Sequence, residues 1–466
     1  MTFGIAVATC LALAHQPAQA PSFRSERENR ALFVEKLRRD IAKVARSIEV
    51  TEALIARSRG APYLPDIYLR LAELYVEQSR YEFYLVNEER GDAASGAAVA
   101  PTSRLLKEKA IETYRRILSD FPGWKNNDKV TFYLAHELRE LGSYDAMIET
   151  YEKLVREFPK SDLVLDAYLV LGDYQFDQGD LPGAENWYQK ILAAPPSPTH
   201  DIAHYKMGWV ELNEAKFEAA FQHFEAAVKT AWAAPGKEGD DARRLDVKRE
   251  AMVDLAYTFT EVKKSESALA YFRRLAPSRS VYVLTLEKLA GRYFVQENYP
   301  AASRIYRELA RLAHDPAENL DRTSQVYRAS LRSRRYPRVD QDVDGMLDAV
   351  DAYRFDWRVG ADERQSAGTD VELQARDLAT KAQQAALKAK DRTLGAKVAA
   401  AYDRYLQSFP ESPKRAEILQ NLADTLYEAR RLPEGGAGVE QSLPDSLLRT
   451  KGQSCLLVAI AGLQEA

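Results

Sequence analysis

At 466 residues, 46% apolar and 29% charged, the chain is rich enough in both classes to fold over most of its length, and at roughly 150 residues per domain it has room for two to four domains. Its 65 basic and 69 acidic side chains nearly cancel, leaving −4, and no dense Lys/Arg run occurs, so the electrostatic footprint of a nucleic-acid binder is missing. The two cysteines, Cys10 and Cys455, sit at the extremes, which excludes a disulfide scaffold and a cysteine zinc site.

Residues 1–20 read as a signal peptide. Phe3 to Ala14 is an almost uncharged apolar run, followed by Pro17 and the small-x-small sequence Ala18-Gln19-Ala20. The run falls short of the about 20 apolar residues a membrane span needs. Export with cleavage near Ala20 is the expectation. No Lys or Arg precedes the run, which leaves retention as an alternative, and Val7-Ala8-Thr9-Cys10 distantly resembles a lipidation box.

Residues 25–60 predict one long helix. Phe33, Leu37, Ile41, Val44, Ile48 and Ile55 form its apolar stripe. Such a helix either caps the first repeat unit or self-associates as a short coiled coil. Fewer than four clean heptads disfavours the second.

From residue 66 the chain repeats itself. A first unit, 66–122, is split: Asp66–Glu88 and Ser103–Phe121 predict partner helices, the second carrying Ala110, Tyr114 and Ile117, with an insertion at Gly91–Gly96 between them. Residues 128–313 hold the core units, where one spacing recurs: a small residue, an apolar and usually small one 12 positions on, an aromatic 4 further, an apolar 3 further. It runs Ala135, Met147, Tyr151, Leu154; then Gly172, Ala184, Tyr188, Ile191; then Gly208, Ala220, Phe224, Ala227; then Ala256, Ala268, Phe272, Leu275; then Ala290, Ala302, Tyr306, Leu309. Small residues let two antiparallel helices approach closely, and the aromatic fills the space beside the contact. Turns such as Gln178-Gly179-Asp180 join the helices, and Pro122, Pro159, Pro195 and Pro410 follow second helices, which proline cannot continue. One such pair cannot bury its apolar face alone, so the units must stack. Further insertions are expected at Trp232–Asp241 and Phe355–Thr369. A degenerate helix pair spans 320–354, a C-terminal section 370–431 (helices at 370–390, 396–409 and 415–431), and an irregular tail 432–466. The expected fold is an all-α solenoid of antiparallel helix pairs.

These residues resemble the tetratricopeptide repeat (TPR) over roughly 66–430. Phe158-Pro159-Lys160-Ser161 and Phe409-Pro410-Glu411-Ser412 look like units of bacterial envelope proteins of the outer-membrane assembly and Tol–Pal-associated type. Pro62–Tyr75 and His204–Trp209 look like TPR proteins of myxobacterial envelopes, some of which serve gliding motility. The resemblance implies a non-enzymatic scaffold of the periplasm or cell envelope whose partners are other proteins, with a cytoplasmic adaptor as the alternative. In the family, fixed positions of each first helix line a concave groove. Carried onto this sequence they are Phe132, Leu169, Phe176, Tyr205, Trp209, Leu212, Val253, Tyr257 and Phe294, with Arg139 and Asp173 as polar accents. A groove so apolar suits a helix or an extended apolar peptide. Alternatively these side chains pack on their neighbours.

Signs of chemistry are few. No phosphate loop, dinucleotide fingerprint, nucleophile elbow or His-Glu-x-x-His occurs, so no catalytic residue and no cofactor are expected. His200 and His204, beside Asp201, are spaced for two metal ligands, though helix starts commonly collect polar residues. Asp340, Asp342, Asp344, Asp348 and Asp351, with Gly345, match the calcium loop of an EF-hand at 340–351. Against that, Val339, Val343, Met346, Leu347, Val350 and Tyr353 form an unbroken helical stripe where a second helix is due. Calcium binding and a plain helix with an acidic face both remain open at this point.

Overall fold

The computed structural model describes residues 26–90, 101–230 and 240–431, and every regular element among them is helical. The expected signal peptide, the tail 432–466, the insertion at 91–96 and nearly all of that at 232–241 lie outside the described residues. The chain divides into two compact units at Asp177–Gln178.

In the first unit, α1 (Glu26–Arg57), α2 (Leu64–Arg90), α3 (Pro101–Asp120), α4 (Asn127–Glu140), α5 (Tyr144–Glu157) and α6 (Val164–Asp177) each pack against the next. The apolar stripe of α1 lies on α2: Leu37, Val44 and Ile48 are buried. Polar contacts hold the same pair, Tyr75 donating to Glu52 at 2.6 Å and Arg30 to the Glu88 carbonyl at 2.8 Å. Ala110, Tyr114 and Ile117 of α3 are buried as the repeat spacing requires, and Ala135, Met147, Tyr151 and Leu154 of α4 and α5 are wholly enclosed. Each large side chain so buried contributes roughly 1.5–3 kcal/mol of transfer free energy.

The second unit holds α7 (Leu181–Leu192), α8 (Thr199–Asn213), α9 (Phe217–Thr230), α10 (Asp240–Val262), α11 (Ala268–Leu275), α12 (Arg279–Val295), α13 (Tyr299–Arg311), α14 (Pro316–Ser333), α15 (Val339–Phe355), α16 (Ala361–Ala389), α17 (Arg392–Ser408) and α18 (Arg415–Arg431), with a 3-10 turn, Ser265–Ser267, leading into α11. Consecutive helices pair, and first helices meet the first helices of the next unit, α8 against α10 and α10 against α12. One core runs from α9 to α14 and contains Ala220, Phe224, Ala256, Ala268, Phe272, Ala290 and Ala302. A second joins α15 to α18. Gly208 is buried beneath the Phe224 ring.

The helix ends follow local chemistry. Asp180, Ser278, Asn298, Asp315 and Asp391 cap α7, α12, α13, α14 and α17, each accepting a backbone N–H of the first turn. Helix α4 ends in a Schellman turn: Ser143 N–H reaches the Leu138 carbonyl at 2.9 Å, with Gly142 left-handed at φ 74°. The same turn recurs after α8 and α12, where Ala215 (φ 58°) and Glu297 (φ 60°) stand where glycine is favoured.

The third expected insertion, 355–369, is corrected. Helix α16 begins at Ala361, not 370, and only residues 356–360 connect it to α15. Glu363 accepts the Gly360 N–H at 3.1 Å and starts the helix early. Gly368, read in the sequence as a loop residue, sits inside α16 because the Arg354 guanidinium lies against it, where a Cβ would meet a nitrogen at 2.2 Å.

Candidate functional site

The candidate residues fall in both units. In the first, Phe132 on α4 meets Tyr151 edge-on at 5.5 Å, Leu169 on α6 is only 7% exposed, and Phe176 is half-buried. Leu169 therefore packs rather than lining a surface, a correction to its expected place in a groove.

In the second unit the candidates lie on the successive first helices α8, α10 and α12. Tyr205 and Trp209, one turn apart on α8, both rest on the Phe224 ring, at 5.8 and 6.2 Å between centroids. The Tyr205 hydroxyl also donates to Asp254 of α10 at 3.0 Å, and the Trp209 indole N–H favours the charged form of the same carboxylate. Leu212 and Phe294 are half-buried against the same core, and Val253 is half-buried on α10. Tyr257 is the most open of the set, at 37% exposure, and the Arg292 guanidinium of α12 stacks over its ring at 4.0 Å. Arg292 also pairs with Glu261 at 3.0 Å, and Gln296 donates to the same carboxylate at 2.8 Å.

Asp254, Glu261, Arg292 and Gln296 escaped the sequence reading. A single acid among the apolar residues of α10 was the available signal for Asp254; the others act only through a partner helix. Burial pushes the Asp254 carboxyl up to about 6, even though the hydrogen bonds from Tyr205 and Trp209 work the other way.

The histidines do not assemble as the spacing suggested. His200 turns back to its own loop: its ring nitrogens bond Ser197 and the Ala194 carbonyl. His204 instead meets His223 of α9, Nδ1 to Nδ1 at 3.0 Å. His223 Nε2 stands 3.6 Å from Glu211. Burial, with the neighbouring imidazoles, drops His204 to about 4, while burial, then Glu185, pushes Glu211 up to about 7. Among the described residues no three His, Cys, Asp or Glu side chains come together as metal ligands.

Residues 340–351 are helical throughout, as the apolar stripe required, so the calcium-loop geometry is corrected. Asp342, 6% exposed, faces α13, where Arg307 grips it with two hydrogen bonds of 2.6 and 2.8 Å. Asp344 and Asp348 face Arg404 of α17, Asp351 pairs with Arg354 of its own helix, and Asp340 lies a turn before Asp344. A continuous helix spreads these carboxylates over opposite sides and cannot converge them on one ion.

A tetratricopeptide-repeat family model matches residues 133–199. Over that stretch the chain is similar to the tetratricopeptide repeat. The match covers α5 and α6, most of α4 and all of α7, and the helix-pair architecture continues on either side of it. TPR proteins generally mediate protein–protein interaction. Among solved structures, the chain is similar to the C-terminal part of a TPR repeat-containing protein from Cytophaga hutchinsonii (15% identity, 68% of this chain and 98% of that one, TM-score 0.34). It is also similar to the apo form of the quorum sensor NprR from B. thuringiensis (14% identity, 69% and 94%, TM-score 0.29). No curated protein matches the sequence. Among the described residues, no helix is long and apolar enough to cross a membrane.

Proposed function

We propose that the chain is a non-enzymatic TPR scaffold of the bacterial cell envelope, docking partner proteins on the first-helix face of its repeats. The observation that carries this reading is the row on α8, α10 and α12. Tyr205 is held by Asp254 and Trp209 by the Phe224 ring, and Tyr257 stands open beside them under the Arg292 guanidinium. Rigid aromatics with an arginine beside them, presented on packed helices, are the usual anchors of protein interfaces. The groove is thus narrower than the nine residues carried over from the family: Tyr257 and Arg292 offer surface, while Tyr205 and Trp209 support it from the core.

The tagged full-length chain, recovered from cells with its bound proteins, tests this. Tyr257→Ala with Arg292→Ala should lose partners while circular dichroism stays unchanged. Recovery of the same partners by a folded double variant defeats the docking face.

The envelope address is supported by the apolar run Phe3–Ala14 and Ala18-Gln19-Ala20. Mass spectrometry of the mature N-terminus tests it separately. A protein beginning at Met1 in cells would favour the cytoplasmic adaptor, the reading to which the missing positive charge before Phe3 already points.

A further inference from the structure

Two adjoining cavities, of about 460 and 610 Å³, open among second helices of the later repeats, away from the aromatic row. Both are lined by Arg304 and Arg307 of α13, by Arg338 just before α15, and by Gln341 within it; Lys397 of α17 closes the smaller. The smaller cavity has four cationic side chains in its wall and no carboxylate, whereas Glu308, Asp342 and Asp348 also line the larger. Asp342 neutralises Arg307. Arg304, Arg338 and Lys397 have no carboxylate within ion-pairing distance among the described residues. Lys397 donates an N–H to the Pro337 carbonyl, which holds its ammonium at the cavity. Arg304 reaches Ser265 with one terminal nitrogen at 3.1 Å, yet its Nε is buried with no acceptor.

Three converging cations without counter-charge repel one another, and a buried N–H without an acceptor carries a desolvation cost. A ligand that brings oxygen acceptors and negative charge removes both penalties at once. Guanidinium forks favour planar or tetrahedral oxyanions, and volumes of this order hold a small ligand or a few side chains. We propose that the smaller cavity binds a multiply charged oxyanion, a phosphoryl group or clustered carboxylates. It would arrive either as a small molecule or as the acidic segment of a partner protein. This site shares no residue with the aromatic face and stands or falls independently of it.

Calorimetric titration of the full chain at low salt, with sodium pyrophosphate in one arm and hexaglutamate peptide in the other, tests the proposal. At least one probe should bind saturably. Arg304→Gln with Lys397→Gln should weaken that binding at least about tenfold. Arg338→Gln, at an exposed position where folding is not at stake, should weaken it too. Pyrophosphate alone binding identifies a phosphoryl ligand; hexaglutamate alone identifies an acidic segment; both identify a general oxyanion site. Absence of saturable binding by either probe overturns the proposal, as does unchanged affinity in Arg338→Gln or in a double variant of wild-type helicity.

Discussion

The Phe224 ring lies directly on the Cα of Gly208: a Cβ there would stand 2.7 Å from two ring carbons. In this unit the aromatic of the repeat spacing does not sit beside the small residue but on top of it. Gly208→Ala should therefore destabilise the second unit by about 1–3 kcal/mol, read as a lower urea midpoint. Phe224→Leu, which shortens the ring, should cost less in the Gly208→Ala background than alone. Strict additivity of the two would show that the contact is not the reason for the glycine.

Left-handed residues at two turns suggest the opposite change. Ala215 and Glu297 sit at φ 58° and 60° in Schellman turns, a conformation that a Cβ disfavours. Ala215→Gly and Glu297→Gly should each raise stability by about 0.5–1 kcal/mol, the relief of strain exceeding the entropy that glycine adds to the unfolded chain. Gly142→Ala, in the matching turn at φ 74°, should lower it by a similar amount. Equal midpoints across all three would remove the argument.

These turns also mark where sequence reasoning reached and where it stopped. The spacing of small and aromatic residues is local, and it anticipated pairs such as α4–α5, α8–α9 and α12–α13, because a helix face is set by residues three and four apart. Ala215 and Glu297 gave no turn signal because glycine is the residue that ordinarily gives one. The insertion expected at 355–369 failed for two local reasons: Gly360 precedes an early helix start, and Gly368 makes room for Arg354. The carboxylates at 340–351 suited a calcium loop by spacing alone, since their partners, Arg307 and Arg404, stand 35 and 56 residues away from Asp342 and Asp348. Which aromatics of the first helices are open was equally hidden, because Asp254 and Arg292 decide it from other helices.

The cluster of His204, His223 and Glu211 makes stability respond to acid in two opposing ways. His204 falls to about 4 when folded, from an ordinary 6.5, so the unfolded chain takes the proton first. Its stabilising contribution is full above pH 6.5 and is lost as the pH drops toward 4. His223, also lowered by burial, acts with the same sign. Glu211 is raised to about 7, so the folded chain takes that proton first and gains stability as the pH drops from 7 toward 4.5. With solvent screening of these half-buried groups, the His204 and Glu211 effects are each on the order of 1 kcal/mol. Glu211→Gln should unmask a loss of stability between pH 7 and 5, and His204→Gln should diminish it. Urea midpoints at the two pH values decide; an acid loss identical in wild type and Glu211→Gln would rule out the opposition.

Asp254 offers a local readout of the aromatic row. Its carboxyl titrates at about 6 because burial outweighs the hydrogen bonds from Tyr205 and Trp209. Tyr205→Phe removes a donor to the charged form, so the Asp254 titration should move higher still, measured by carboxyl carbon NMR. Trp209→Phe should move it in the same direction. A downward move in either would mean that the hydrogen bonds do not stabilise the carboxylate. Neither variant is a neutral probe of docking, since both residues bear on Phe224 as well.

The strongest consequence of the helical reading of 340–351 falls on Asp342. Its side chain is 3% exposed and that of Arg307 22%, and Ser330 adds a third hydrogen bond at 3.3 Å. Removing one member of a buried pair leaves the other charged and unsolvated, at a cost of about 3–5 kcal/mol. Asp342→Ala should approach that loss, whereas Asp344→Ala, whose partner Arg404 also holds Asp348, should change stability by less than about 1 kcal/mol. A calcium loop requires the reverse pattern: both carboxylates would matter alike, and only with the ion present. Melting the wild type with calcium or with chelator should give one temperature. A rise with calcium that vanishes in Asp344→Ala would return the segment to the ion-binding reading, because only a ligand role makes that exposed carboxylate count.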